Sequence, residues 1–199
     1  MTPALKIGLT GSIGMGKSTT AAMFLDAGVP VWDADAAVAR LYAKGGAAVD
    51  EIQRAIPAAV ADGEVSKQAL KQAISQDSDI LQQLERIVHP LVQSDSAEFA
   101  KTAKSPMILF DIPLLFETGG DADMDAIIVV TAPPQVQRAR VMARGTMDDT
   151  QFQAILARQM PDAEKRARAD FIVTTETLDD TREQVEDIIR ILADRVKHA

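Results

Sequence analysis

The residues with the clearest chemistry form a glycine-rich loop near the start of the chain. Residues 11–18 read Gly-Ser-Ile-Gly-Met-Gly-Lys-Ser and match the phosphate-binding pattern G-x-x-x-x-G-K-[ST]. The glycines let successive backbone N–H groups point into one concavity, where phosphate oxygens bind. The apolar run Leu5–Thr10 precedes the loop and a helical pattern follows it, which is the context this pattern requires. The sequence therefore predicts a site for the phosphates of ATP.

Three side chains at the end of the loop have separate expected roles. Lys17 is expected to contact the β- and γ-phosphates, Ser18 to bind Mg²⁺ and Thr19 to donate to the α-phosphate. The alternative, a glycine-rich turn with an exposed lysine, does not require the preceding strand and following helix. The predicted ATP-binding residues in this region are Gly11, Ser12, Ile13, Gly14, Met15, Gly16, Lys17, Ser18 and Thr19.

A pair of carboxylates follows the second apolar run of the chain. Asp33 and Asp35 come directly after Val29–Trp32 and point to the same side if the chain remains extended. Ligands of open α/β sheets bind at the carboxyl ends of the strands, so the pair is expected to face the phosphate loop. One carboxylate would accept the proton of an attacking hydroxyl, and the other would hold a Mg²⁺-bound water or a neighbouring donor. Alternatively, Asp35 caps the N-terminus of a helix over Ala36–Tyr42.

A third aspartate ends the apolar run Met107–Asp111. Four apolar residues before an aspartate are typical of a strand that leads to a contact with Mg²⁺, although the pattern also fits an ordinary strand end. The next segment, Pro113–Glu117, is too apolar for a solvent loop, which suggests a packed wall near the site. Glu117 is a candidate contact for substrate or water.

Cationic side chains concentrate between Arg138 and Arg168. Arg140 and Arg144 are four residues apart, hence on one face of a helix that could close over the phosphates. The alternative is a solvated helix face. Farther upstream, His89-Pro90 is expected to end one helix and begin another.

The elements that must position these residues alternate between strand and helix. Such alternation predicts an α/β fold with a parallel, doubly wound, five-stranded sheet flanked by helices. The predicted strands are Leu5–Thr10, Val29–Trp32, Met107–Asp111, Ala126–Thr131 and Phe171–Thr174. The first and last predicted helices are Ser18–Ala27 and Asp179–Lys197. Two intervals without a strand candidate, about Ala36 to Ser105 and Pro134 to Ala169, are both interpreted as helical.

These intervals define the expected organisation of one 199-residue domain. The core comprises residues 1–35, 106–133 and 170–199, the helical acceptor-binding insertion residues 36–105, and the helical lid residues 134–169. The net charge of −8 argues against a nucleic-acid partner. The chain contains no cysteine, which excludes disulfides and thiolate chemistry. No membrane span or N-terminal leader is expected in residues 1–6 or elsewhere, so a cytoplasmic protein is predicted, as a monomer or weak homo-oligomer.

Several motifs together resemble the dephospho-coenzyme A kinase family, in order, from about residue 5 to 175. They are the loop at 11–19, Val31–Asp35 followed by Arg40, His89–Leu91, Pro113–Glu117, Arg140–Arg144, Gln159–Pro161 and Arg166–Val173. The family transfers the γ-phosphate of ATP, with Mg²⁺, to the ribose 3′-hydroxyl of dephospho-coenzyme A.

The resemblance implies a role for each matching residue. Asp35 is the expected base and Asp33 its companion, while Arg140 and Arg144 belong to the lid. The catalytic set is thus Asp35, Lys17, Arg140 and Arg144, and the metal set Ser18, Asp33 and Asp111. The expected acceptor contacts are Thr10, Asp33, Arg40, His89, Pro113, Leu114 and Glu117. Where the family has an Asn-rich loop beside the adenine, this chain has Thr174–Thr177, and backbone groups near Thr175 are expected to replace the amides.

Other nucleotide-binding classes are rivals to this hypothesis. A nucleoside or nucleotide kinase would share the loop, lid and inserted helices, and remains the alternative. A GTP-dependent switch normally reads guanine with an Asn-Lys-x-Asp element, and this sequence contains no asparagine. An ATP-driven nucleic-acid motor is disfavoured by the short, acidic chain.

Overall fold

A computed structural model describes residues 4–198 of the chain. Part of the N-terminal segment for which no leader was expected, residues 1–3, lies outside this range. The strands are β1 Leu5–Thr10, β2 Val31–Asp33, β3 Val60–Ala61, β4 Glu64–Val65, β5 Met107–Asp111, β6 Ala126–Thr131 and β7 Phe171–Thr174. The helices are α1 Lys17–Asp26, α2 Ala34–Tyr42, α3 Val49–Ala55, α4 Lys67–Gln76, α5 Asp79–Thr102, α6 Pro134–Ala143, α7 Asp149–Leu156, α8 Asp162–Ala167 and α9 Leu178–His198.

Five strands form the main sheet in the order β2-β5-β1-β6-β7, which confirms the predicted α/β class. Strand β1 lies between β5 and β6 and pairs in parallel with both, and β7 pairs in parallel with β6. Ile7 and Leu9 of β1 are fully buried, as expected for a strand covered on both faces. Parallel pairing places the ends Thr10, Asp111, Thr131 and Thr174 at one edge of the sheet.

The chain divides after Trp32 and again after Thr102 into two compact units. The first unit contains most of the main sheet and a core formed by residues such as Phe24, Leu109, Ile128 and Leu192. The segment 134–169 belongs to this unit. The second unit, residues 33–102, has its own apolar core, in which Ile52 and Ala59 are fully buried.

The second strand begins two residues later than predicted. Gly28 has a left-handed φ of 86°, and the N–H of Val29 donates to the carbonyl of Phe24 in α1. These bonds end α1, so Val29 serves the helix terminus instead of the strand. Helix α1 also begins one residue earlier than predicted, at Lys17, with Gly16 before it.

The interval 36–105 is not entirely helical, so that expectation was wrong. Strands β3 and β4 form an antiparallel hairpin in which Val60 pairs with Val65 and Ala61 with Glu64. Its turn is Asp62-Gly63, with φ values of 52° and 81°. Asp-Gly is a favoured pair for a two-residue hairpin turn, because both positions require positive φ. The sequence signal was present, but each flanking strand has only two residues.

The expected helix boundary at His89-Pro90 was also wrong, because α5 continues through Pro90. A proline removes one N–H donor from the helix interior, yet the apolar stripe of α5 extends on both sides of it. Ile87 and Leu91 both pack against the core of the second unit, around the buried Val88. This packing outweighs the local preference of proline to end a helix.

Candidate active site

The phosphate loop connects the end of β1 to the first residue of α1. Gly14 and Gly16 have φ values of 78° and 93°, a conformation that side chains disfavour. A Cβ atom on Gly11 would lie 2.6 Å from the backbone oxygen of Val130, so this position has no space for a side chain. The loop thus packs against β6 and curls before the N-terminus of α1. Helix N-termini favour anions, which suits a polyphosphate.

Lys17 and Asp111 meet at the carboxyl edge of the sheet. The Lys17 ammonium forms an ion pair with the Asp111 carboxylate, and their side chains are 16% and 4% exposed. Lys17 is the first residue of α1, whereas Asp111 ends β5 opposite Leu9 of β1. The structure therefore brings together the lysine and the aspartate that were selected from two separate motifs.

Two other loop residues present their side chains differently. Ser18 and Thr19, in the first turn of α1, are exposed. Ser12 is buried, and it borders an open cavity of about 410 Å³ together with Met15 and residues of the segment 134–169. Within residues 4–198, no group of three or more His, Asp or Glu side chains is arranged as a metal site.

Thr175 connects the loop after β7 to the phosphate loop. Its hydroxyl donates to the backbone oxygen of Met15 at 2.7 Å, and its N–H donates to Thr131 at 2.9 Å. Arg140 donates to the Thr175 hydroxyl at 2.8 Å and to its carbonyl at 2.5 Å. The guanidinium of Arg140 is thereby held beside the loop after β7. Arg144 is exposed and directly follows the last residue of α6.

Two glutamines hold the crest of the phosphate loop, at Ile13. The side-chain amide of Gln137 donates to the backbone oxygen of Ile13 at 2.7 Å. The side-chain oxygen of Gln159 accepts from the backbone N–H of Ile13 at 3.1 Å. Both polar groups of this one residue are therefore bound by side chains of the segment 134–169.

The segment after β5 contacts the end of β1 and the segment 134–169. The buried Thr10 hydroxyl donates to the backbone oxygen of Pro113 at 3.1 Å, whereas Leu114 is 42% exposed. The Glu117 carboxylate accepts from the N–H of Met160 at 2.8 Å and pairs with the ammonium of Lys165 at 2.8 Å. Glu117, which was predicted to contact substrate or water, is therefore engaged by protein groups in this structure.

Opposing effects act on the pKa of Glu117. Its partial burial raises the pKa, while the Lys165 ammonium and the N–H groups of Met160 and of Glu117 itself lower it, and the net pKa lies below the ordinary value. Lys165 has no exposed side-chain surface, so Glu117 supplies the counter-charge for its buried ammonium.

Asp162, the first residue of α8, binds the last residue of β6. One Asp162 carboxylate oxygen accepts from the Thr131 hydroxyl at 3.0 Å and from Arg166 at 2.8 Å. Its other oxygen is buried, without a hydrogen-bond partner among residues 4–198. Asp162 also borders the cavity beside Ser12.

The second unit holds the remaining predicted residues. Asp33 caps α2, because its carboxylate accepts from the N–H of Ala36 at 2.8 Å. The alternative role of Asp35 as the helix cap was therefore wrong: Asp35 lies inside the first turn of α2 and is exposed. The chain is also not extended from Asp33 to Asp35, since α2 begins at Ala34.

The two basic residues of this unit that were predicted as acceptor contacts lie on α2 and α5. Arg40 pairs with Asp95 at 2.7 Å. His89 borders an open groove of about 470 Å³ on the surface of α5, together with Gln82, Glu85, Arg86 and Pro90. The groove is therefore a surface of mixed charge.

Known proteins resemble nearly the whole of this chain in sequence. The family model for dephospho-CoA kinase matches residues 5–180. The chain belongs to the dephospho-CoA kinase family. A relative from Ruegeria pomeroyi, named dephospho-CoA kinase, is 58% identical over 185 residues, which span 93% of this chain and 94% of the relative. The predicted resemblance is confirmed, and with it the class of P-loop kinases.

Two solved structures share the fold of this chain. The crystal structure of TT1252 from Thermus thermophilus has a TM-score of 0.85 at 34% identity, covering 97% of this chain and 98% of that chain. A dephospho-CoA kinase from Campylobacter jejuni has a TM-score of 0.65 at 20% identity, covering 93% and 95%, and shares the fold. In the described part of this chain, no helix has the length and apolar character to cross a membrane.

Sequence reasoning missed four residues that shape the site. Gln137 and Gln159 carry no charge and match no catalytic pattern, and Gln159 was noted only as part of a family motif. Lys165 and Asp162 were hidden among the exposed charges of the Arg-rich interval. A buried lysine cannot be distinguished from a surface lysine by its sequence neighbours alone.

Proposed function

We propose that this chain transfers the γ-phosphoryl group of ATP to the ribose 3′-hydroxyl of dephospho-CoA to give CoA. The observation that carries the proposal is the meeting of Lys17 and Asp111 at the phosphate loop of a dephospho-CoA kinase family member. Relatives with this name cover nearly the whole chain, so the similarity includes the segments to which the donor and acceptor contacts are assigned.

The donor ATP lies with its phosphates in the loop formed by residues 11–19. Lys17 leaves its pair with Asp111 to contact the β- and γ-phosphates, where negative charge grows during transfer. Arg144 adds positive charge from the end of α6. Arg140, which is held against Thr175, is the second lid arginine that stabilises the transferring phosphoryl group, and the backbone near Thr175 contacts the adenine.

Mg²⁺ fits the oxygens that the chain offers. Magnesium is usually held by one or two protein oxygens together with substrate phosphates and water, not by a cage of protein ligands. The exposed Ser18 hydroxyl and the Asp111 carboxylate are such oxygens at the loop, and Asp33 is the third candidate. When bound, Mg²⁺ neutralises charge on the phosphates.

Asp35 acts as the general base of the reaction. It lies in the first turn of α2, directly after the carboxyl end of β2, and is exposed to an incoming hydroxyl. Asp33 is occupied as the cap of α2, which leaves Asp35 as the better proton acceptor. The acceptor contacts are assigned to Thr10, Asp33, Arg40, His89, Pro113, Leu114 and Glu117, with Glu117 acting through Met160.

The test is an assay of the purified chain with ATP, Mg²⁺ and dephospho-CoA. The expected product is CoA, with the new phosphate located at the ribose 3′ position by phosphorus NMR. Nucleosides and nucleoside monophosphates are offered in parallel as acceptors. Phosphorylation of one of these, with no CoA formed, would establish the rival nucleoside or nucleotide kinase instead.

A further inference from the structure

The crest of the phosphate loop is held from two sides by the segment 134–169. Gln137 lies in α6 and is 5% exposed, and Gln159 follows α7 and is half-buried. The two side chains bind the carbonyl and the N–H of the same residue, Ile13, at 2.7 and 3.1 Å. Because a backbone N–H only donates and a carbonyl only accepts, the orientation of both amides is determined.

These bonds add to the contacts that restrict a glycine-rich part of the chain. Gly14 and Gly16 follow the crest with left-handed φ values of 78° and 93°, and glycine adopts many other conformations readily. A loop that is ordered before ATP arrives loses less conformational freedom on binding, which raises affinity. The bond to Gln159 also turns the Ile13 N–H toward protein, so this N–H is committed before the phosphates bind.

The position of Gln159 is itself anchored through the next residue. The N–H of Met160 donates to Glu117 at 2.8 Å, and Glu117 pairs with Lys165, whose side chain is fully buried. This chain of contacts joins the segment after β5 to the crest of the phosphate loop. It explains how a residue on a connecting segment reaches Ile13 with a defined geometry.

We propose that Gln137 and Gln159 are positioning residues that order the phosphate loop for ATP, with opposite hydrogen-bonding requirements. Position 137 requires a donor and position 159 an acceptor. The proposal deepens the proposed function and rests on it, since it assumes that the loop binds ATP. It assigns neither glutamine a contact with the reacting atoms.

Amide exchange of the unliganded full chain tests the proposal without using activity. Gln159→Met removes the acceptor, and the Ile13 amide should then exchange at least tenfold faster, while amides of β1 are unchanged. Gln159→Glu keeps an acceptor and should preserve slow exchange at Ile13. At position 137 the glutamate substitution is not the milder one. Gln137→Glu places a carboxylate against the Ile13 carbonyl and should disturb the loop at least as much as Gln137→Met.

Binding measurements supply the second readout. Each methionine variant should raise the Kd of ATP about three- to tenfold, the factor expected from one lost hydrogen bond, and leave the KM of dephospho-CoA unchanged. The double variant should raise Kd by less than the product of the two single effects, because both bonds act through one residue. Gln135→Met, an exposed glutamine on the same helix, is the matched control and should change neither quantity.

Three results would overturn the proposal. They are unchanged exchange at Ile13 in Gln159→Met, equal effects of Gln159→Glu and Gln159→Met on that amide, and single variants whose ATP affinities match the control. Gln159→Glu and Gln137→Met keep the test decisive if Gln159→Met does not fold. Failure of the proposed function is a separate result, because the unaltered chain would then form no CoA while the exchange data stood.

Discussion

Lys17 and Asp111 form an ion pair across 94 residues of sequence, at the point where α1 begins and β5 ends. The pair joins two charges of opposite sign at the phosphate loop. In the proposed reaction, Lys17 would contact the phosphates of ATP and Asp111 would help to hold Mg²⁺, so each of the two charges would have a new partner in the substrate complex. Asp111 therefore holds Lys17 in place in the absence of ATP.

Lys17→Met should abolish most of the phosphoryl transfer while the fold is retained. Removing one preorganised donor to transition-state charge lowers kcat by about 10²–10³. The ion pair between Lys17 and Asp111 is also lost, so the melting temperature should fall. CoA formation and thermal unfolding measure the two effects. Lys67→Met, at the exposed start of α4, is the control, and equal activities of the two variants would remove Lys17 from the mechanism.

Substitutions of Asp33 and of Asp35 should differ in their effects on stability. Asp33→Ala removes the cap of α2 and should lower the free energy of unfolding by about 1 kcal/mol, whereas Asp33→Asn keeps a capping oxygen. Asp35→Asn should lower kcat about 10²- to 10⁴-fold, the range of a general base, and change stability by less than about 1 kcal/mol. Urea titrations and initial rates measure these changes. A near-normal rate in Asp35→Asn would contradict its role as the base.

Glu117→Gln should destabilise the protein more than Lys165→Met. The first change leaves the fully buried Lys165 without its counter-charge, and loss of one partner of a buried ion pair costs about 3–5 kcal/mol. Lys165→Met should cost less, because Glu117 is partly exposed and still accepts from the N–H of Met160. Chemical denaturation of both variants gives the comparison, and the opposite order would contradict the dependence of Lys165 on Glu117.

The same ion pair predicts how stability depends on pH. The pKa of Glu117 is lower in the folded chain than its ordinary value, so the folded state binds its proton less readily than the unfolded state. Its contribution to stability is complete above the pKa of the unfolded glutamate, about 4.3, and is lost as the pH falls through the lower folded value. The difference in unfolding free energy between the unaltered chain and Glu117→Gln should shrink over that acidic range.

Arg140 and Arg144 should differ although they belong to one motif. Arg140→Ala removes two donations to Thr175, so we expect stability to fall by about 1–2 kcal/mol and the KM of ATP to rise. Arg144 is exposed, and Arg144→Ala should lower kcat with a stability change within about 0.5 kcal/mol. Arg190→Ala on α9 controls for loss of surface charge. Identical profiles for the two lid variants would contradict this division.

The strands and the phosphate loop could be predicted because their signals are local. Four of the five sheet strands have the predicted bounds, since buried parallel strands are continuous apolar runs. The shift of β2 arose because the end of α1 uses Val29. The hairpin at Asp62-Gly63 was missed because the helical pattern around it is longer than its strands. Helix α5 passes through Pro90 because tertiary packing overrides the local preference.

The supporting contacts of the site could not be predicted, because they join residues that are distant in sequence. Ile13 and Gln159 are 146 positions apart, and Thr175 and Met15 are 160 apart. No spacing rule relates such positions before the fold is known. The catalytic assignments of Asp35 and the two lid arginines remain predictions, and the experiments described above test them.

The contact between Gly16 and Thr175 restricts how the sequence of this kinase can diverge. A Cβ atom on Gly16 would stand 2.9 Å from the Thr175 hydroxyl, so the two positions share one volume. A bulkier residue at 175 would displace the phosphate loop, and a residue without a hydroxyl, such as alanine, would remove the donation to the carbonyl of Met15. The glycine-rich loop therefore limits which residues can occupy position 175, although this position lies far outside the motif by which the loop is recognised.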